Sequence, residues 1–477
     1  MGWLSGSQAV GQVITIGAKL LLARLMTTAD FGTVAVAVAF TSFAQLFVEL
    51  GFGDAVLQRK AAEFGERERS TAFWANMMIG LLLCPISIAA APWLAILFDA
   101  PEVGPVLQLL SISFVLLAPQ ALLRALFTRK MNYRVVGLAS VTGAVLGGVV
   151  GVVLALMGWG VWALVALNLV RSTSVTLAMF VAARWVPRQF IHLPTLRSLW
   201  SFGMYMTGVR VLNNVTRNGD TMLVALLLGQ SAAGIYSVAY QGVILPVTYI
   251  SRPIGSVVYS ALCRMEDDSV RRAVAFSKTL EVLIVLGFPM GFLGMMTADV
   301  VLPVLLGPQW TEAAPVFAVL AVSGGVQTML QTSTSILQAA NRPGISLAIQ
   351  IVKLVLVMGG VLAGIPFGPF GVGVGYTIAW LILVPVHLAP VVVWGKVPRE
   401  GIVRPIAQGC LNLVFTVGAF GLISLVPAGP DAARVLLGAA IATAVWLVAS
   451  YLSMPSFRDL TLLLRKRVGR RFGRASA

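Results

Sequence analysis

Between Met204 and Gly229 the chain reads MYMTGVRVLNNVTRNGDTMLVALLLG, and Arg210, Asn213, Asn214 and Arg217 recur there at i, i+3, i+4 and i+7. On a 3.6-residue helix these positions share one face, and Thr221 extends the stripe at i+11. Guanidinium groups make charge-assisted bonds to phosphate oxygens. Amides and hydroxyls match sugars. The chemistry this stripe offers is non-covalent recognition of an anion rich in hydroxyl groups. A second stripe, Gln8, Gln12, Thr15 and Lys19, lies near the amino terminus. Sliding the chain by 202 residues places Gln8 on Arg210, Gln12 on Asn214, Thr15 on Arg217 and Lys19 on Thr221.

The elements that carry these stripes are apolar. The chain has 477 residues, of which 58% are hydrophobic and only 11% charged, with a mean hydropathy of +0.90. Soluble domains are closer to a quarter charged, so the solvent for most of this surface is lipid. A membrane crossing needs about 20 apolar residues. That length predicts helices near 4–26, 34–57, 71–98, 104–127, 136–157, 160–183, 200–228, 234–258, 274–298, 312–338, 345–366, 370–394, 402–425 and 432–453, fourteen in all. The first run is too long for the apolar core of a signal peptide and reads as a retained helix.

Net charge is +16 and the isoelectric point about 10.5, but the basic residues lie in short gaps between apolar runs, a pattern that reports membrane orientation and not nucleic-acid binding. Arg59, Lys60, Arg67 and Arg69 occupy one such gap, Arg129, Lys130 and Arg134 another, and seven cations follow Tyr451. The alternate gaps hold Asp30, Asp99, Glu102, Asp299, Glu312 and Asp431. The expectation is a multi-pass protein with both termini cytoplasmic. Cys84, Cys263 and Cys410 form no CxxC pair and His192 and His387 are the only histidines, so neither a metal site nor a cofactor is expected. The loops are too short for a catalytic domain, and the expected protein is not an enzyme.

The repeat extends the argument. FGTVAVAVAF at 31–40 falls on AGIYSVAYQG at 233–242, and GWGVWAL at Gly158 falls on PFGVGVG at Pro369 with a shift of 211. Six helices separate the copies, which makes a parallel repeat about an axis along the membrane normal. The predicted architecture is all-α: an amino-terminal lobe over 1–183 (spans 1–6), an inter-lobe loop at 184–199, a second lobe over 200–394 (spans 7–12), spans 13 and 14 over 395–453, and a basic tail at 454–477. The polar faces of the first and seventh spans would then meet in a central cleft.

An Arg or Lys at a helix centre costs roughly 2.5–3.5 kcal/mol on insertion scales. A water-filled cavity removes most of that. Arg210 and Arg217 are two turns apart, so one interface cannot serve both by snorkelling. Arg24, Arg124 and Arg252 lie nearer helix ends, where snorkelling is the alternative. Asp220 stands one turn from Arg217 and is placed to pair with it. Glu49, Arg171, Glu281 and Lys353 are deep as well; Glu49 follows Gln45 at i+4 and Arg171 follows Asn168 at i+3. For each, an interhelical bond and a cavity-lining role both stand. Gly143, Gly147 and Gly151 make a GxxxGxxxG face for close helix approach. The GVGVGY run at Gly371–Tyr376 is read in the same way.

The segment LLARLMTTADFGTVAVAVAFTSFAQLFVELGFGDAVLQRK, Leu21–Lys60, resembles the amino-terminal signature of the polysaccharide transporter family. Its Ala-Arg-Leu, Asp-Phe-Gly and Glu-Leu-Gly-Phe-Gly elements carry the likeness; Thr28 stands where relatives often have Pro. That family of O-antigen and exopolysaccharide flippases belongs to the multidrug, oligosaccharidyl-lipid and polysaccharide exporter superfamily. The resemblance implies alternating access in a bacterial inner (plasma) membrane. It implies a polyprenyl diphosphate-linked oligosaccharide as cargo, membrane lipids as surroundings, and polysaccharide polymerase and export machinery as partners. It implies cavity-facing cations at Lys19, Arg24, Arg210 and Arg217, with Gln12 and Asn214 beside them, and ion coupling through Glu49, Asp220 or Glu281. A cation-coupled multidrug exporter of the same superfamily is the alternative.

Overall fold

The computed structural model describes residues 2–49, 65–263, 265, 268–340, 342–424, 431–459, 461 and 462; at some of these, Arg210 and Glu49 among them, only the backbone is described. The described residues form helices and turns with no strand. The helices follow the apolar runs: α1 Gly2–Leu25, α2 Thr28–Glu49, α3 Glu66–Leu97, α4 Val103–Arg129, α5 Tyr133–Leu156, α6 Val161–Ala183, α7 Leu193–Leu228 and α8 Gln230–Pro246. Then come α9 Arg252–Cys263, α10 Ser269–Leu306, α11 Ala313–Leu330, α12 Ser333–Ala339, α13 Pro343–Gly364, α14 Gly368–Val393, α15 Glu400–Ser424 and α16 Asp431–Ser453. Among the described residues, ten stretches are long and apolar enough to cross a membrane. Side chains such as Trp93 and Ile96 are more than 75% exposed on α3, an arrangement that suits lipid. The chain is a multi-pass membrane protein.

Several boundaries differ from expectation: α7 begins at Leu193, inside the expected loop 184–199, α10 runs Ser269–Leu306 where 274–298 is expected, and the expected 312–338 is divided into α11 and α12. Two further differences have local reasons. α2 begins six residues before the expected 34. There the main-chain N–H and hydroxyl of Thr27 donate to Asp30 Oδ2 at 3.0 and 2.7 Å, while the Asp30 N–H donates back to Thr27 Oγ1 at 3.2 Å. This reciprocal cap starts a helix that hydropathy alone places later. The expected span 234–258 is broken by a π-helical turn at Val247–Ser251. Pro246 precedes it and Pro253 follows, and each lacks an N–H for the helical ladder.

By contacts the chain divides into two compact units, one holding Met1–Ser237 with Leu305–Trp310, the other Val238–Val304 and Thr311–Ala477. In the first, α5 packs on α6 through the expected glycine face. A side chain starting from Gly147 would approach the Leu167 carbonyl within 2.7 Å, and one from Gly151 would reach the Leu167 Cβ at 2.9 Å. In the second unit, side chains added at Gly371 or Gly375 would land on the carbonyls of Gly364 and Gly360, so the GVGVGY run is a packing surface between α13 and α14. There, too, Trp446 Nε1 donates to the Val285 carbonyl at 2.9 Å.

Candidate functional site

About 300 Å³ of open space lies inside the first unit, enclosed by α2, α4, α5 and α6. Gln45 reaches it from α2, Arg124 and Gln120 from α4, and Asn168 and Arg171 from α6; the side chain of Glu49, one turn after Gln45, lies outside the described residues. Each of these helices is apolar overall, so the polar groups converge on one space instead of facing lipid. Glycine makes this possible for Arg171: its Cβ lies 2.9 Å from where a Gly147 side chain would begin. The arginine stem therefore runs along the glycine face of α5 and its head reaches the pocket. The side-chain oxygen of Gln120 is sealed in the wall without a hydrogen-bond partner.

On the 1.5 Å rise per residue, Arg171 sits roughly 15 Å along α6 from its start, and Arg124 roughly 30 Å along α4. The pocket thus stretches from mid-helix toward the end of α4 that carries Arg129 and Lys130. Lys19 is half-buried on α1, which packs against α5, and lies within electrostatic reach of Arg171.

A second feature lies at the other end of α2. A Cβ on Gly32 would fall on the carbonyl oxygen of Gln230, and a Cβ on Gly234 would fall on that of Thr28. The contact is reciprocal: the shift of 202 that relates the sequence copies carries Thr28 to Gln230 and Gly32 to Gly234. The hydroxyls of Thr28 and Ser231 are 2.9 Å apart across the crossing. Next to it, Arg24 Nε donates to the Leu305 carbonyl at 2.9 Å, and Gln309 Nε2 and Trp310 Nε1 each donate to the Ala23 carbonyl at 2.8 Å. Trp310 also meets Phe31 edge to face with centroids 5.2 Å apart.

The residues expected at the site divide accordingly. Arg24 is exposed and engages a main-chain carbonyl at the crossing. Gln12 is half-buried on α1. Arg217 is exposed on α7, and Asn214 is half-buried with its Oδ1 accepting from Asn218 Nδ2 at 2.6 Å. The side chains of Arg210 and Glu49 lie outside the described residues. Asp220 is fully buried and accepts from Tyr236 Oη at 3.0 Å and from the Thr221 N–H at 2.7 Å. Glu281 accepts from the N–H and the hydroxyl of Ser456, both at 2.8 Å, an interhelical tie. Arg124, Gln45, Asn168 and Arg171, which the sequence marks helix by helix, border one space. Nothing in one sequence says that polar residues on three separate helices face each other.

Residues 21–315 match the family described as "Polysaccharide biosynthesis protein". The chain belongs to that family. Within it, similarity extends to the lipopolysaccharide biosynthesis protein WzxC of Escherichia coli, 27% identical over 80% of this chain and 78% of the relative. The succinoglycan biosynthesis transport protein ExoT of Rhizobium meliloti is 28% identical over 76% and 73% of the two chains. The fold resembles that of the lipid II flippase MurJ in an inward closed conformation, with a TM-score of 0.75 over 97% of this chain and all of the other at 13% identity. An inward-facing multidrug exporter of the MATE family and MOP superfamily follows with a TM-score of 0.65 over 81% and 94% of the chains.

Proposed function

We propose that this protein is a flippase that carries polyprenyl diphosphate-linked oligosaccharide units from the cytoplasmic to the outer leaflet for surface polysaccharide biosynthesis. The observation that carries the reading is a polar pocket lined by Arg124 and Arg171, inside the helices of a polysaccharide biosynthesis family member. The names of relatives support a transport role: one is a succinoglycan biosynthesis transport protein, and the fold resembles that of a lipid II flippase.

In this reading fourteen crossings form two six-helix lobes and a trailing pair, with both termini cytoplasmic. The reciprocal crossing of Gly32 and Gly234 supports the twofold relation between the sequence copies. The diphosphate docks on cations of α1 and α7, namely Lys19, Arg24, Arg210 and Arg217, with Gln12 and Asn214 beside them, while the prenyl tail stays in lipid. No covalent bond changes, so the protein is not an enzyme. Two uncompensated negative charges crossing outward would gain roughly 4–5 kcal/mol per 100 mV of inside-negative potential. Coupling ions, where used, bind at Glu49, Asp220 or Glu281; of these, the Asp220 carboxylate already accepts from Tyr236 and Thr221 and that of Glu281 from Ser456.

The shared MATE fold favours a multidrug exporter as the second reading, but a cationic drug would meet the guanidinium groups of Arg124 and Arg171 in the pocket. The test is replacement of Arg210 and Arg217 by Ala in a cell whose polysaccharide export depends on this protein. Export is expected to stop while the protein stays at its normal level in the membrane; unchanged export would refute the docking role.

A further inference from the structure

We infer that the segment leading from α6 into α7, residues 184–197, is a docking surface for the anionic headgroups of the membrane leaflet it borders. The inference takes from the function proposed above only the cytoplasmic side of that leaflet. Between Ala183, the last residue of α6, and Leu193, the first of α7, the chain has no regular structure, yet it is fastened to α3 along its length. The Glu66 carboxylate accepts from Trp185 Nε1 with both oxygens, at 3.0 and 2.9 Å, and from the Arg188 N–H at 3.4 Å. The His192 N–H donates to Thr71 Oγ1 at 3.2 Å. The Phe190 ring stacks on Trp74 with centroids 5.6 Å apart. Trp185 also packs in the group that holds Phe127 and Val136, on either side of the turn between α4 and α5. That turn, with its exposed Lys130, therefore lies beside the segment.

The fastening decides which side chains face outward. Trp185 and His192 are turned to α3. Val186, Phe190 and Leu193 are left 69%, 82% and 73% exposed, and Arg184, Arg188 and Arg197 are exposed among them. Water suits the cations but not three large apolar groups within eight residues. The hydrocarbon core suits the apolar groups but neither the cations nor a main chain without regular structure. The headgroup layer suits both: apolar side chains enter to a depth of about 5–10 Å, while guanidinium groups meet phosphates. Continuity with a membrane span points to lipid and not to a protein partner. The last turns of α6 expose Leu177 and Val181, so the lipid-facing surface of that helix leads directly into the segment. Charge selects the lipid. The segment contains three arginines and no acid, and basic side chains at a membrane surface favour anionic headgroups. Because α7 starts inside the segment, the leaflet holds the first turn of the helix that carries the polar stripe.

The experiment uses the full chain with Cys84, Cys263 and Cys410 replaced, Val186→Cys carrying a nitroxide, and vesicles of phosphatidylcholine with or without phosphatidylglycerol. Collisions with oxygen and with a water-soluble nickel complex report the depth of the label. With phosphatidylglycerol the ratio of inserted to withdrawn label is expected to rise at least about fivefold, the fold-change equivalent to one basic contact. High salt is expected to reverse the rise, a readout that needs no further variant to fold. The Arg184→Gln, Arg188→Gln, Arg197→Gln triple variant is expected to remove it while keeping its melting transition. A label equally deep in both vesicles, or a rise that survives both salt and the triple variant, would overturn the inference. A label that stays in water in both, and is immobilised only when cytosolic protein is added, would assign the surface to a protein partner and overturn it as well. None of these readings uses a passenger, so the flippase reading is tested apart from this inference, and either can fail alone.

Discussion

Two stretches of α2, a little over three turns apart, meet their neighbours in opposite ways. At Gly32 the helix lies backbone on backbone against α8, with no room for one added carbon. At Gln45 it borders a polar space of about 300 Å³. Small residues and dry contact make one end a joint; long polar side chains and open volume make the other a vessel. A transporter of the alternating-access kind needs both, because one end must close tightly while the other receives the passenger. In the proposed flippase α2 would carry the two tasks in sequence, with its start capped at Thr27 and Asp30.

The largest effect is expected from locking the joint. Cysteines in place of Thr28 and Ser231, whose hydroxyls are 2.9 Å apart, put two sulfurs within reach of a disulfide. In a background with Cys84, Cys263 and Cys410 replaced, oxidation should abolish transport nearly completely and reductant should restore it. Full transport by the crosslinked protein would mean that this crossing never opens, and the contrast between the two ends of α2 would lose its functional meaning.

A subtler comparison adds bulk at each end. Gly32→Ala puts one methyl where the Gln230 carbonyl lies, and overpacking of this kind costs about 1–3 kcal/mol. Gly17→Ala on α1 has nothing within 4 Å of the new carbon and should change stability by no more than about 0.5 kcal/mol. Ser42→Leu adds a larger group but into the open pocket; it should leave the melting transition in place and reduce transport instead. Thermal unfolding in detergent and flux in liposomes, measured on all three, separate joint from vessel. Equal melting for Gly32→Ala and Gly17→Ala would deny that the crossing is tight.

Much of this was legible in the sequence, and what was not has a physical cause. Apolar length located most of the described helices, with ends up to eight residues away, as at α10, since lipid imposes a minimum length on any crossing. The GxxxGxxxG face of α5 was readable because close approach requires small residues at one-turn spacing. Hydropathy cannot register a cap, so the start of α2 was placed late. The pocket was half legible: Gln45, Asn168 and Arg171 stood out as polar residues at depth, but their meeting depends on how α2, α4 and α6 are rotated. Arg124 read equally well as a snorkelling residue, because its place near the end of α4 fits either role. The expected pairing of Asp220 with Arg217 considered only one helix. The Asp220 carboxylate instead accepts from Tyr236 on α8, a partner sixteen residues away that only the turn into α8 brings back.

The smallest effect tests how the dry end is secured beside the glycines. The carbonyl of Ala23, near the end of α1, has no intrahelical partner to spare and accepts from both Gln309 Nε2 and Trp310 Nε1 at 2.8 Å. A carbonyl has two lone pairs, so the two donors do not compete. Gln309→Ala removes one and leaves the oxygen satisfied by the other, and the lost neutral bond contributes about 0.5–1.5 kcal/mol. Gln309 Nε2 also donates to the Arg24 carbonyl at 3.2 Å, a longer bond that is lost with it, so the change should lie in the middle of that range. Trp310→Phe removes the other donor and keeps the ring against Phe31, whose centroid distance is 5.2 Å; it should cost no more than Gln309→Ala. Only the double variant orphans the carbonyl, and its loss should exceed the sum of the singles, because an unsatisfied buried acceptor costs about 1–3 kcal/mol. Strict additivity in a double-mutant cycle of melting transitions would mean that the two donors act separately and that the joint rests on its glycines alone.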